Sequence, residues 1–353
     1  IVLGSQVDYN GQGAGYTLDP QEIINYCAAH DNETFFDAVQ LKVPVPTANG
    51  DRVRVQNIAN DLIALGQGVP FFHAGQDMLR SKSMDRDSYN SGDWFNRLDF
   101  TYTWNNWGGG LPVASKNQDN WPLMQPLLAN PALQVSPFDI EAATGHFLEM
   151  MQIRKSSGLF RLPSEAAVIN RVGFLNTGPS QIPGMIVMTL SDDDGSVDRL
   201  RERIVVLFNA TDDPQVFAAP SLAAYNFDLH EVQQASSDPV VVTSNWDGAT
   251  STFTVPARTT AVFVSLRSAE DQIELVIEDI AELVATGVLK SGQGNALTIK
   301  LENALAKSAR GQTKAAINHL IAFINQVEDF VADGILTPEQ GMSLIAAVEA
   351  IID

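Results

Sequence analysis

Asn25-Tyr26-Cys27-Ala28-Ala29-His30-Asp31-Asn32-Glu33-Thr34 places a polar pair directly after a short apolar run. A strand that ends in His-Asp at the mouth of a barrel offers an imidazole and a carboxylate to a sugar ring, so the chemistry implied is glycosidic. Retaining glycosyl chemistry also needs a nucleophilic carboxylate and a separate carboxylic acid. Neither has an obvious home ahead of the pair, and the sequence reads as the last part of an enzyme.

The elements that must hold this pair are legible. Residues 23–29 and 68–74, the latter Gly-Val-Pro-Phe-Phe-His-Ala, are compact apolar runs, and Val53, Val55, Ile58, Ala59, Leu62, Ile63 and Leu65 recur between them at helical spacing. Strand, helix, strand is the unit of a parallel sheet or β/α barrel, whose sites lie just past the strand ends. A Trp/Asn/Gly-rich loop region is expected from Arg80 to Asn130, then a helix from about Phe138 to Ile153. After Pro163 the segments 184–190, 203–209, 227–232 and 253–266 are short, β-branched-rich and separated by turn residues, the pattern of an antiparallel sandwich. From Ala269 onward, stripes such as Ile273, Val276, Ile277, Ile280 and Leu283 mark amphipathic helices, and Thr337-Pro338-Glu339-Gln340 offers an N-cap with an N1 proline. The fold class is therefore multidomain: the C-terminal part of a (β/α)8 barrel over residues 1–162, a β-sandwich over 163–267 and a small α-helical bundle over 268–353.

Several blocks resemble the pullulanase and limit-dextrinase family of the α-amylase superfamily. They are Ala29-His30-Asp31-Asn32-Glu33-Thr34, Gly68-Val69-Pro70-Phe71-Phe72-His73-Ala74-Gly75, the run from Leu79 through Arg86-Asp87-Ser88-Tyr89 to Asn96, Asn105-Asn106-Trp107-Gly108, Asn176-Thr177-Gly178-Pro179 and Val255-Pro256-Ala257-Arg258-Thr259-Thr260. The resemblance covers roughly Val7 to Leu266 and implies α-1,6-glucosidase activity on pullulan, amylopectin and limit dextrins. It implies strands seven and eight of the barrel, with Asp31 as the carboxylate that steadies the oxocarbenium-like transition state and His30 on the same sugar. Asn32, Arg86, Asp87 and Tyr89 are implied substrate contacts, and Trp94, Trp104, Trp107 and Trp121 offer flat faces that suit glucose rings or equally pack the loops, with Trp94 and Trp107 taken as the sugar contacts. The nucleophilic aspartate and proton-donating glutamate lie on earlier strands of the family, so the isolated chain is expected to be inactive and to need the remainder of the catalytic barrel as partner. Ser291-Gly292-Gln293-Gly294 and the run from Lys314 to Val327 resemble the FIMAH type of helical module.

Composition narrows the partners. A net charge of −20 over 353 residues repels nucleic acid and tolerates a neutral polysaccharide, and no apolar run is long enough to span a bilayer. An extracellular or cell-surface setting of the secreted bacterial type is expected. Cys27 is the only cysteine, which excludes an internal disulfide and leaves a small apolar strand residue. No cofactor is required; a structural calcium is not indicated, because Asp192-Asp193-Asp194-Gly195 has Leu190 where an EF-hand loop needs a ligand and reads as a hairpin turn. Gly11-Gln12-Gly13-Ala14-Gly15 reads as a surface loop, since no strand leads into it, and His73 is either a core histidine or a site residue. The alternative to an enzyme is a non-catalytic glucan-binding or cell-surface attachment module.

Overall fold

The computed structural model describes residues 17–352 and the backbone of residues 8–9 and 12–13. Strands β1 (Asp8–Tyr9) and β2 (Gln12–Gly13) pair antiparallel, while Gly11, Ala14 and Gly15 of the glycine-rich stretch lie outside the described residues. Next come β3 (Ile24–Asn25), α1 (Phe35–Lys42), α2 (Asn49–Leu65) and β4 (Val69–Pro70). The two strands are parallel, Ile24 opposite Val69 and Asn25 opposite Pro70. They form a two-stranded ladder of two residues each, shorter than the apolar runs suggest. The expected loop region contains α3 (Asp93–Asn96), α4 (Ala114–Asn117) and α5 (Trp121–Leu128).

Helix α6 (Pro137–Ser156) begins with Pro137 behind a Ser136–Asp139 capping box and packs along α2. Arg154 on its last turn donates to the carbonyls of Ala64 at 2.7 Å, Gly66 at 2.9 Å and Gly68 at 3.1 Å, satisfying the frayed end of α2 and leading the chain into β4. Between α1 and α2, the buried Arg52 donates to the carbonyls of Val39, Val43, Pro44 and Thr47. One guanidinium thereby satisfies four carbonyls of the turn.

Helix α7 (Glu165–Arg171) leads into the sheets. One has the order β5 (Val172–Phe174), β6 (Met185–Ser191), β7 (Arg201–Asn209), β12 (Thr259–Leu266), β9 (Asp228–Leu229); the other is β10 (Asn245–Asp247), β11 (Thr252–Val255), β8 (Gln215–Ala218). The short α8 (Glu231–Gln234) follows β9. Val187, Val205, Leu207 and Phe263 from the first sheet share one core with Trp246, Phe253 and Val255 from the second. The expected single strand 253–266 is two strands, because Pro256 and Arg258, the latter at φ 46°, turn the chain from β11 to β12 and so from one sheet to the other.

The chain clusters into two compact units, residues 1–191 with 203–264, and residues 192–202 with 265–353. The second contains helices α9 (Ala269–Ala285), α10 (Ser291–Ser308), α11 (Thr313–Ala332) and α12 (Pro338–Ile352) around a core that includes Ile280, Leu297, Leu301, Phe323, Val327 and Val348. Its two hairpins repeat each other. Val284-Ala285-Thr286-Gly287-Val288-Leu289 recurs as Val331-Ala332-Asp333-Gly334-Ile335-Leu336, and Gln293-Gly294 as Gln340-Gly341. Gly287 and Gly334 turn the chain at φ 77° and 71°, and Leu289 and Leu336 donate back to the carbonyls of Leu283 and Phe330. Gly294 and Gly341 let Val284 and Val331 approach so closely that an added Cβ would lie 2.4 and 2.2 Å from a valine methyl.

In the 192–202 hairpin of this unit, Asp192 Oδ2 accepts from the Val197 and Asp198 N–H groups at 2.9 and 2.6 Å, and Asp194 Oδ1 from Ser196 at 3.2 Å. These carboxylates bind their own turn. No helix among the described residues is long and apolar enough to cross a membrane.

Candidate functional site

Because β3 and β4 are parallel, the chain leaves both at the same end, and His30 and Asp31 follow the first as His73 follows the second. The His30 and Asp31 side chains are 85% and 80% exposed, with Nε2 3.5 Å from Oδ1. Asn32 takes φ 59°, a left-handed conformation asparagine tolerates better than most, and Thr34 then caps α1 by accepting from the Asp37 N–H at 3.1 Å. A tight reversal between strand and helix therefore pushes Asp31 outward.

The carboxylate of Asp37 organises what lies beneath. Wholly buried, it accepts from the Ser81 hydroxyl, from the Lys82 N–H at 2.9 Å and from the Met84 N–H at 3.2 Å. Burial raises its pKa, and the hydrogen bonds from Ser81, Lys82, Met84 and Thr34 oppose that rise. Lys82, itself buried, donates from Nζ to the His30 carbonyl at 2.8 Å. Burial lowers its pKa while the nearby Asp37 charge pulls it up. Leu79, Ser83 and Met84 adopt φ 58°, 49° and 65°, a strained path held by Ser83 Oγ donating to the Asn106 carbonyl at 2.8 Å and by Asn106 Nδ2 donating to the Ser81 carbonyl at 3.2 Å.

The same loop brings Arg86 to the His-Asp segment, its Nε 3.0 Å from Glu33 Oε1 and its Nη2 3.4 Å from Asn32 Oδ1. Arg86 and its neighbour Asp87 take different charged partners. Asp87 Oδ2 lies 3.2 Å from Lys116 Nζ, which also sits 4.1 Å over the ring of Tyr89. Tyr89 and Trp94 are 79% and 57% exposed and present their rings at the surface, Tyr89 with one face taken by the Lys116 ammonium. Trp107 does not. It is 1% exposed, edge-on to Phe36 at 5.7 Å, and packs in the core with Leu79 and Met84, so its expected stacking on sugar is replaced by support of the loop from below. His73 is half-buried, its Nε2 3.2 Å from Arg80 Nη1; burial first, then the charges of Arg80, Lys82 and His30, lower its pKa to about 4 and keep the ring neutral. Among the described residues, no group of three or more His, Cys, Asp or Glu is arranged to hold a metal.

Asp37, Ser81 and Lys82 are the site residues that sequence reasoning missed. One signal was present: Thr34 followed three residues later by Asp37 is a helix-start pattern that places Asp37 on the first turn of α1.

Residues 102–266 match the model of the family described as alpha-1,6-glucosidases, pullulanase-type, C-terminal, and residues 273–353 match the FIMAH domain. The chain is 48% identical over 274 residues to pullulanase 1, chloroplastic, of Arabidopsis thaliana, covering 76% of this chain and 28% of that protein. It is 36% identical over 265 residues to the pullulanase of Klebsiella pneumoniae, covering 73% and 24%. Crystal structures of the Klebsiella pneumoniae enzyme, apo and complexed with maltotriose, superpose with a TM-score of 0.69 at 35% identity over 75% of this chain and 29% and 25% of theirs. The chain thus spans about a quarter of the length of these relatives.

Proposed function

We propose that this chain, which belongs to the pullulanase-type family and carries a FIMAH domain behind that family's C-terminal region, supplies one wall of a starch-debranching active site. In this reading residues 1–162 are the end of a (β/α)8 barrel with β3 and β4 as strands seven and eight, 163–267 the sandwich behind it and 268–353 an attached helical module. The side chains of Ile24, Tyr26, Val69 and Phe71 at the ladder are 43–59% exposed, apolar surface of the kind that further barrel strands would cover.

The reaction is hydrolysis of α-1,6 bonds in pullulan, amylopectin or limit dextrins. As the glucose ring flattens and gains positive charge, an ionised Asp31 accepting from its hydroxyls is attracted more strongly than in the ground state, which lowers the barrier. His30 binds the same sugar; Asn32 and Arg86 border it; Asp87, Tyr89 and Trp94 line the approach. The nucleophilic aspartate and the acid/base glutamate of a double displacement with retention come from polypeptide outside these 353 residues. A secreted or cell-surface setting is part of the proposal for this chain, although one relative is named chloroplastic.

The observation that carries the reading is the exposed Asp31, turned out at the end of a parallel ladder beside the Arg86 loop. In the full-length enzyme, Asp31→Asn should lower kcat on pullulan by about 10²–10³-fold, measured as reducing ends, with Tm unchanged. The 353-residue chain alone should release none. Wild-type turnover by Asp31→Asn, or turnover by the chain alone, rejects the proposal.

A further inference from the structure

Helices α2 and α6 and the segment 236–239 enclose a cleft of about 410 Å³ that shares no residue with the His30–Tyr89 set. That volume is within the range of small-ligand sites, ~300–1,000 Å³. Phe138 stands at its rim, 76% exposed, and Val53, Ala142 and Pro239 add apolar wall. The polar groups converge from both sides. Arg54 pairs with Asp238, Glu149 accepts from the Ser236 hydroxyl at 2.9 Å, and His146 Nε2 lies 2.8 Å from the wholly buried Asp61. Burial opposes the charge on His146, but Asp61 overrides it and raises the pKa.

Two buried acceptors in this region have no hydrogen-bond partner among the described residues: Asn57 Oδ1 in the cleft wall, and Asp61 Oδ2 in a chamber of about 10 Å³ that shares Arg54, Asn57, His146 and Asp238 with the cleft. The wall sets the carboxyl groups of Asp139, Glu141, Glu149 and Asp238 against the cations Arg54 and His146, which are already paired with Asp238 and Asp61, so it suits hydroxyl donors better than phosphate or carboxylate ligands. The exposed ring of Phe138 in the same cleft suits the C–H face of a pyranose. Together these features describe a polyhydroxylated ligand of sugar type.

We propose that this cleft is a second α-glucan-binding site, holding one or two glucose units of a malto-oligosaccharide away from the Asp31 loop. The inference rests on the α-glucan reading for its choice of sugar, and on the cleft alone for its position. It would keep a branched polymer attached while the reactive loop samples linkages.

Hydrogen–deuterium exchange of the full chain with maltotriose as probe tests it. Saturating maltotriose should slow exchange in residues 138–149 and 236–239, and Phe138→Ala should weaken that effect about tenfold, the equivalent of about 1.4 kcal/mol of ring contact. Asp31→Asn and Trp94→Ala should leave it unchanged. No protection in these two segments, or protection that persists at wild-type affinity in both Phe138→Ala and Glu149→Gln, overturns the proposal. If that occurs while pullulan hydrolysis by the full-length enzyme still depends on Asp31, the cleft alone is rejected; cleft protection without Asp31 dependence rejects the active-site reading alone.

Discussion

Lys82 Nζ donates to the main-chain carbonyl of His30 at 2.8 Å, while the Lys82 N–H donates to Asp37 Oδ2 at 2.9 Å. One residue therefore ties the segment that carries Asp31 to the loop that carries Arg86, and both to the first turn of α1. A carboxylate exposed on a short reversal takes its aim from the backbone behind it, and this tie holds that backbone one residue away.

Lys82→Met keeps the length of the side chain and removes the donor. In the full-length enzyme we expect kcat on pullulan to fall about tenfold or more through misplacement of Asp31, with a stability loss of about 1–3 kcal/mol from the unpaired His30 carbonyl. Lys82→Arg should recover part of the rate, which a purely structural role would not require. Unchanged kcat in Lys82→Met would remove Lys82 from the site.

His73 makes stability depend on acid. Its folded pKa is about 4 against an ordinary 6.5, so between those values the unfolded chain binds a proton that the folded chain does not. Stability is full above about pH 6.5, declines as pH falls through the window and levels off below about 4; the half-exposed ring screens the effect below its full value. Urea midpoints from pH 7 to 4 should fall less steeply for His73→Gln than for wild type. Parallel curves would show that the ring does not contribute.

The paired glycines of the helical unit make a matched prediction. A methyl at Gly294 or Gly341 meets a valine methyl at 2.4 or 2.2 Å, and overpacking of about 1–3 kcal/mol exceeds the helix-propensity gain of about 1 kcal/mol. Gly294→Ala and Gly341→Ala should each lower the thermal midpoint, by similar amounts. Gly292→Ala, with nothing within 4 Å, should raise it or leave it unchanged.

What was legible in the chain follows from how local each signal is. His30-Asp31 after an apolar run, the stripe of α2 and the N-cap and N1 proline at Thr337-Pro338 are all written within a few residues. Asp37 and Lys82 were not, because their partners lie across the fold: Asp37 meets the 81–84 backbone only after β3, α1 and the loop after β4 have come together. Trp107 illustrates the opposite error. Four tryptophans in one stretch suggested a sugar-facing surface, yet Asn105 Oδ1 accepts from the Trp107 N–H at 3.1 Å and the ring turns inward, whereas Trp94 remains outside. Composition gives the same letter to both, and only packing separates them. The strands of the ladder were overcalled for a related reason: apolar runs predict extended chain, but hydrogen-bonded length is set by how much neighbouring strand is present.

The doubled hairpin of residues 269–352 has an implication for descent. Exchanging its halves maps each hairpin onto the other, turn glycine onto turn glycine and glycine–valine seam onto glycine–valine seam, which is the pattern of a duplicated two-helix unit. Such a repeat is what tandem duplication of one two-helix segment produces. After duplication each half is free to mutate its outward side alone, while the glycine–valine seams must be preserved twice.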